Sequence, residues 1–155
     1  MSRYLYGETN PVSAGIQTAD AINVGDLVSY GMGNVYKASE ATWTTDLATT
    51  QTNFAAAFLG VSGQKKLAGE SRVHGNSTDN IIRIDCSGVY EFSCVNASYE
   101  IGEWIGAAKD SGNALLNDTV AAVSTSAKAI GICVEATTGT KIKIQLLSTK
   151  NPVAK

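Results

Sequence analysis

The chain has 155 residues, the length of a single domain, with 44% hydrophobic residues and enough of them for a sizeable core. Only 17% of its residues are charged, and Gly, Ala, Ser and Thr together number 64 of the 155, which excludes a coiled coil and a disordered chain. A net charge of −2 without any cationic block argues against nucleic-acid binding by counterion release. No apolar run approaches the roughly 20 residues of a membrane span. Neither nucleic acid nor a membrane is therefore an expected partner. The start, Met-Ser-Arg-Tyr-Leu-Tyr-Gly, has no apolar run of signal-peptide length, so synthesis in a cytoplasm is expected. Cys86, Cys94 and Cys133 are accordingly expected as reduced, buried thiols.

In chain order, residues 1–20 show neither strand alternation nor helical spacing, and Gly7, Pro11 and Gly15 interrupt them. They read as an irregular N-terminal arm. Its Arg3, Tyr4, Leu5 and Tyr6 are unusual cargo for a tail that only needs solubility, and Tyr and Arg are enriched at interface hot spots. Asp26–Tyr30 and Asn34–Ala38 flank Gly31-Met32-Gly33, a hairpin signal with glycines where positive φ is needed. Trp43 follows in a stretch where nothing periodic demands it, and is a further interface candidate. Leu47, Phe54 and Phe58 are spaced 7 and 4 apart, which predicts one short helix near 45–57. Ile82–Cys86, Val89–Phe92, Ala129–Cys133 and Lys141–Leu146 alternate apolar and polar residues, the period of half-buried strands. Trp104–Ala107 and Ala114–Leu116 flank a second hairpin turn, Lys109–Asn113. Short strands with regular turn signals define an all-β chain, a single β-barrel or β-sandwich domain over 21–148 with a C-terminal tail at 149–155.

Two halves of that domain, about 21–86 and 98–147, look related. Val24-Gly25-Asp26-Leu27-Val28 matches Ile101-Gly102-Glu103-Trp104-Ile105 at an offset of 77. Leu59-Gly60-Val61 matches Ile130-Gly131-Ile132 at 71, and Ile82-Arg83-Ile84 matches Ile142-Lys143-Ile144 at 60. The falling offset places extra residues of the first half in the helix and in the polar stretch Gly69–Asn80. Each half supplies a hairpin, a glycine-containing strand and an alternating strand, and the two are expected to share one core.

Catalytic patterns are wanting. His74, the single histidine, lies in a polar loop, and no serine sits in a Gly-x-Ser-x-Gly elbow. The cysteines lack the close pairing of structural zinc ligands. Asp26 and Glu103 occupy equivalent places before hairpin strands, where a carboxylate accepts backbone N–H bonds in the turn. The chain reads as a non-enzyme without cofactor, metal or catalytic residue.

The order of several elements resembles a known family. Asn10-Pro11, Gly25-Asp26-Leu27-Val28, Thr42-Trp43 with Asp46–Gln51, Phe58-Leu59-Gly60-Val61, Ser87–Phe92, Ile101-Gly102, Leu115-Leu116-Asn117 and Ala129-Ile130-Gly131 are similar to the capsid decoration, or cement, proteins of tailed phages. The likeness runs over about residues 10–148. It implies a β-barrel or β-sandwich subunit on the outer capsid surface of a virion, usually a homotrimer, with the major capsid protein as partner. On that expectation the arm, with Arg3, Tyr4, Leu5 and Tyr6, and Trp43 form the capsid or subunit interface. The alternative is a carbohydrate- or receptor-binding β domain of a phage appendage, with Trp43 and the Gly69–Asn80 loop as its platform.

Overall fold

The computed structural model describes residues 2–150. Met1 and residues 151–155 of the expected tail lie outside the described residues. The elements are β1 (Arg3–Tyr6), β2 (Pro11–Gly15), β3 (Leu27–Gly31), β4 (Asn34–Lys37), α1 (Leu47–Ala56), β5 (Phe58–Ser62) and β6 (Ile81–Asp85). They continue with β7 (Val89–Tyr99), β8 (Trp104–Lys109), β9 (Leu115–Ala122), β10 (Gly131–Cys133) and β11 (Thr137–Leu146). Among the described residues the fold is mainly β with one α-helix, as the patterning predicts.

Each related half closes on itself. In the first, β2-β4-β3-β5-β6 form a barrel. In the second, β7-β11-β10-β8-β9 form a ring closed by a parallel pairing of β7 with β9, and β1 is added on β7. The two rings have one topology. The parallel contact Gly15↔Asn34 corresponds to Ser93↔Thr119, and every other pairing in the two rings is antiparallel.

The repeated residues explain this likeness. Val28 pairs with Gly60 and Ile105 with Gly131, the positions matched in the sequence. Gly25 and Gly102 turn the chain with φ of 94° and 92°. Their N–H groups donate to the carbonyls of Ser62 (2.8 Å) and Cys133 (2.9 Å), again a matched pair. Asp26 accepts from the Asn23 N–H at 2.9 Å and Glu103 from the Glu100 N–H at 3.2 Å, so both carboxylates serve the turns that launch β3 and β8. Gly60 and Gly131 are required by a close approach. A Cβ at Gly60 would stand 2.1 Å from the Asp85 carbonyl oxygen, and one at Gly131 2.7 Å from that of Gln145.

The expected shared core is replaced by two. One cluster fills the first barrel with Val28, Val35, Leu59, Ile82, Ile84 and Cys86. The other fills the second barrel with Phe92, Ile105, Val120, Ile130, Ile142 and Ile144, and extends to Leu27, Phe54, Phe58 and Val61 of the first unit and its helix. Those four residues bind the units together.

The extra residues of the first half lie where the offsets place them. Helix α1 joins β4 to β5, and Asp46 caps it by accepting from the Thr49 N–H at 2.8 Å. The second half has only the 3-10 turn Ser126–Lys128 before β10. The long β5–β6 connection is anchored by Val73, 1% exposed, and by the buried Lys66. The Lys66 ammonium donates to the carbonyls of Thr18 (2.7 Å), Asp20 (2.7 Å) and Leu67 (3.2 Å).

Two boundaries differ from expectation. The supposedly irregular arm contains two strands, with Gly7 (φ 94°) as the corner between them and Pro11 opening β2, a place where a missing N–H is tolerated. The units therefore run over 11–85 and 89–146, because β2 and β7 belong to the repeat although their sequences differ.

Ile84 and Ile144 are each 0% exposed, at matched positions. Truncating either to Ala is expected to cost about 2–5 kcal/mol in urea unfolding. Gly60→Ala should destabilise more than Gly131→Ala; the reverse order would refute the close-approach account. Cys86, Cys94 and Cys133 are all buried and free, and burial pushes the Cys86 thiol up to about 11. Reducing agent should leave the melting temperature unchanged, and a thiol reagent near neutral pH should label the native protein far more slowly than the unfolded one.

Candidate functional site

Strand β1 brings Arg3, Tyr4, Leu5 and Tyr6 together on the start of β7. Arg3 pairs with Glu91, Tyr4 with Tyr90 and Tyr6 with Val89, with a bulge that leaves Leu5 without a partner residue. The Arg3 Nε donates to Glu91 Oε1 at 3.0 Å, and that bond holds the Glu91 carboxyl below its ordinary range. Exposed pairs of this kind contribute little energy, so this one serves register. The Tyr4 ring stands edge-on to Tyr90 with centroids 5.5 Å apart.

Tyr90 links the strand to both barrels. Its hydroxyl donates to Asp85 Oδ2 at 2.9 Å, and Asp85 ends the last strand of the first barrel. Burial, then the Asp85 charge, pushes the Tyr90 hydroxyl far above its ordinary range, so it stays a neutral donor. Arg83 Nε lies 3.6 Å from Asp85 Oδ1. Ser2 is buried and donates to the Gly25 carbonyl at 2.8 Å. Between β1, the Gly7–Pro11 link and the rim of the first barrel lies a cleft of about 690 Å³, with Arg83, Asp85 and Tyr90 in its wall.

The outward side of β1 has the character of a contact surface. β1 is the terminal strand of its sheet, and Tyr4 and Tyr6 are 48% and 57% exposed. Terminal strands present unpaired backbone donors and acceptors, and Tyr rings bury large area at low entropy cost. Trp43 is not part of this group. It is half-buried before α1, with Lys109 Nζ 6.0 Å from its ring centroid, so it packs against the end of β8. His74 is exposed in the β5–β6 connection, and the Gly69–Asn80 stretch is braced by Arg72–Asp79 at 2.7 Å and by Asn76 with Gln64. Residue type alone pointed to Arg3–Tyr6. Nothing local in the sequence marks Asp85, Arg83 and Tyr90 as a group, because an inter-barrel hydrogen bond leaves no periodic signal.

No protein-family model matches the chain, and no curated protein matches it in sequence. What defines it is architecture: a mainly-β chain of two five-stranded barrels of one topology, with an N-terminal strand laid across their junction.

Beside Ser2, Asp26 is buried, and burial raises its pKa against the opposing hydrogen bond from Asn23. A raised folded pKa means that this carboxyl stabilises the fold below the ordinary carboxylate range and loses that contribution as pH rises through the raised value. Asp26→Asn keeps an acceptor for the Asn23 N–H without the charge. It should melt at or above the wild-type temperature at neutral pH, with the difference vanishing in acid. A variant that melts lower at neutral pH would refute this account.

Proposed function

We propose that this chain is a non-enzymatic structural subunit that binds the outer surface of a tailed-phage capsid and stabilises it, as a homotrimer. The major capsid protein is its partner in the virion. The observation that carries the reading is β1: a terminal strand, tied to both barrels through Tyr90 and Asp85, that presents Tyr4 and Tyr6 outward. A strand on the shell can add to such an edge through backbone hydrogen bonds while the rings fill pockets beside it. The resemblance in the order of turn and strand signatures supports the same reading. An array of identical sites multiplies a modest affinity, which suits a contact of four residues.

The test is deletion of residues 2–6, which spares β2, followed by titration onto heads that lack the protein. The truncated protein should keep its far-ultraviolet circular dichroism. Its affinity for the heads should fall at least tenfold, about 1.4 kcal/mol. Full occupancy by the truncated protein would move the interface elsewhere on the barrels, and absence of binding by the intact protein would overturn the capsid reading.

A further inference from the structure

Arg83 and Lys143 occupy matched positions in the two units, and the same backbone bond ties each of them. The Gly63 N–H donates to the Arg83 carbonyl at 2.9 Å, and the Val134 N–H to the Lys143 carbonyl at 3.1 Å. Val134 shows that the common topology accepts a β-branched residue at this place. Gly63 has no left-handed φ that would call for glycine. A Cβ there would stand 2.7 Å from both Nε and Nη2 of Arg83 and 3.1 Å from its Cζ, and these are its three nearest atoms. The missing side chain at Gly63 is therefore a seat for the Arg83 guanidinium.

The two matched cations are used differently. Lys143 Nζ is paired with Glu135 Oε2 at 2.9 Å. The Arg83 guanidinium is held at two points. Its Nη2 donates to the Gly63 carbonyl at 3.3 Å, and its Nε stands 3.6 Å from Asp85 Oδ1, an ion pair past hydrogen-bond length. Asp85 takes the Tyr90 hydroxyl on its other oxygen. Among the described residues Nη1 has no bond, and the Arg83 side chain is 53% exposed.

We propose that Arg83 takes an Asp or Glu side chain of the extended segment that adds to β1, in the cleft of about 690 Å³ beside that strand. One wall of the cleft is β1 with Ser2, Arg3 and Tyr4, and the other is the barrel rim with Val24, Gly63 and Arg83. A strand laid along the first wall thus brings its side chains to the second. A guanidinium with an unbonded Nη edge matches a carboxylate in shape and in charge. Seating it on Gly63 beforehand lowers the entropy lost on binding. Of the other charged residues in the cleft, Arg3 is bonded to Glu91, and Asp85 is shared by Tyr90 and Arg83. Glu8 also lines the cleft. It repels a carboxylate and would attract a cation, so it reports the sign of the occupant. The inference rests on the capsid reading and names the chemistry of the partner's segment.

Titration of full-length variants onto heads that lack the protein tests it, with far-ultraviolet circular dichroism as the control of the fold. Arg83→Gln should bind at least about tenfold more weakly. Arg83→Lys should recover part of that loss, because it keeps the charge without the fork. Gly63→Ala should weaken binding while Arg83 is present and add nothing in the Arg83→Gln background, because its methyl acts only by moving the guanidinium. Glu8→Gln should bind at least as tightly as wild type. Wild-type affinity in Arg83→Gln, or an additive loss in the double variant, would overturn the Arg83 site and leave the capsid reading standing. Weaker binding by Glu8→Gln would overturn the acidic occupant. Absence of binding by the wild-type protein would overturn the capsid reading and the site with it.

Discussion

Both barrels depend on a backbone carbonyl lodged where a side chain would otherwise stand. At Gly60 the occupant is the Asp85 carbonyl and at Gly131 that of Gln145, the same contact in each unit. With any side chain at either glycine, the fourth and fifth strands of that unit, in chain order, move apart. The ladder β5–β6 or β10–β11 is then disturbed, and with it the corner bonds from Gly25 to Ser62 and from Gly102 to Cys133. A five-stranded ring has little slack, because each strand must meet two neighbours at a fixed tilt. The close approach also fixes where Asp85 sits, and hence whether its carboxylate meets the Tyr90 hydroxyl.

From that common frame the two units diverge by length. The first carries α1 and the long β5–β6 connection, and these supply Phe54 to the inter-barrel cluster and Val73 to the first core. The second carries long strands instead. β7 has eleven residues: β1 pairs with its first three and β9 with Ser93 and Cys94 further along. β2, its counterpart, has five residues and a parallel contact only at Gly15. The N-terminal strand is thus seated on the unit whose first strand is long enough to hold two neighbours in series.

Much of this was legible in the residues. Alternation in Ile82–Cys86 and Lys141–Leu146, the two hairpin turns and the helix near Leu47–Ala56 correspond to elements of the structure, because each signal is local. The repeated Gly-Asp and Gly-Glu corners were legible for the same reason. Closure was not: alternation marks one buried face, and says nothing of whether that face curls on itself or meets another. The arm was misread because four residues are too few to show a period, and because Gly7 and Pro11 act as a corner and a strand start rather than as breaks. Arg3–Tyr6 and Trp43 stood out alike by residue type, and the structure places them apart, the first on β7 and the second near Lys109 at the end of β8. Composition identifies side chains able to make contacts; only tertiary structure tells which of them stand together.

The way β1 is held bears on what it can do. Its bonds are a partly exposed ion pair, one edge-on ring contact, the Tyr4 hydroxyl's bond to the Gly7 carbonyl and three paired residues, while the barrels beneath are closed and filled by buried apolar chains. Stability within a protein varies in this manner, and segments with few buried contacts open at far lower free energy than the core. A strand that is ordered yet lightly attached suits recognition by strand addition. Its backbone is already extended, so a partner strand meets a preformed edge and little conformational entropy remains to be lost. The bond between the barrels does not run through β1, because Tyr90, and not Tyr4, carries the link to Asp85. The division is a physical one: rigid barrels fix the position of the edge, and weak local contacts leave the edge free to be completed by another chain.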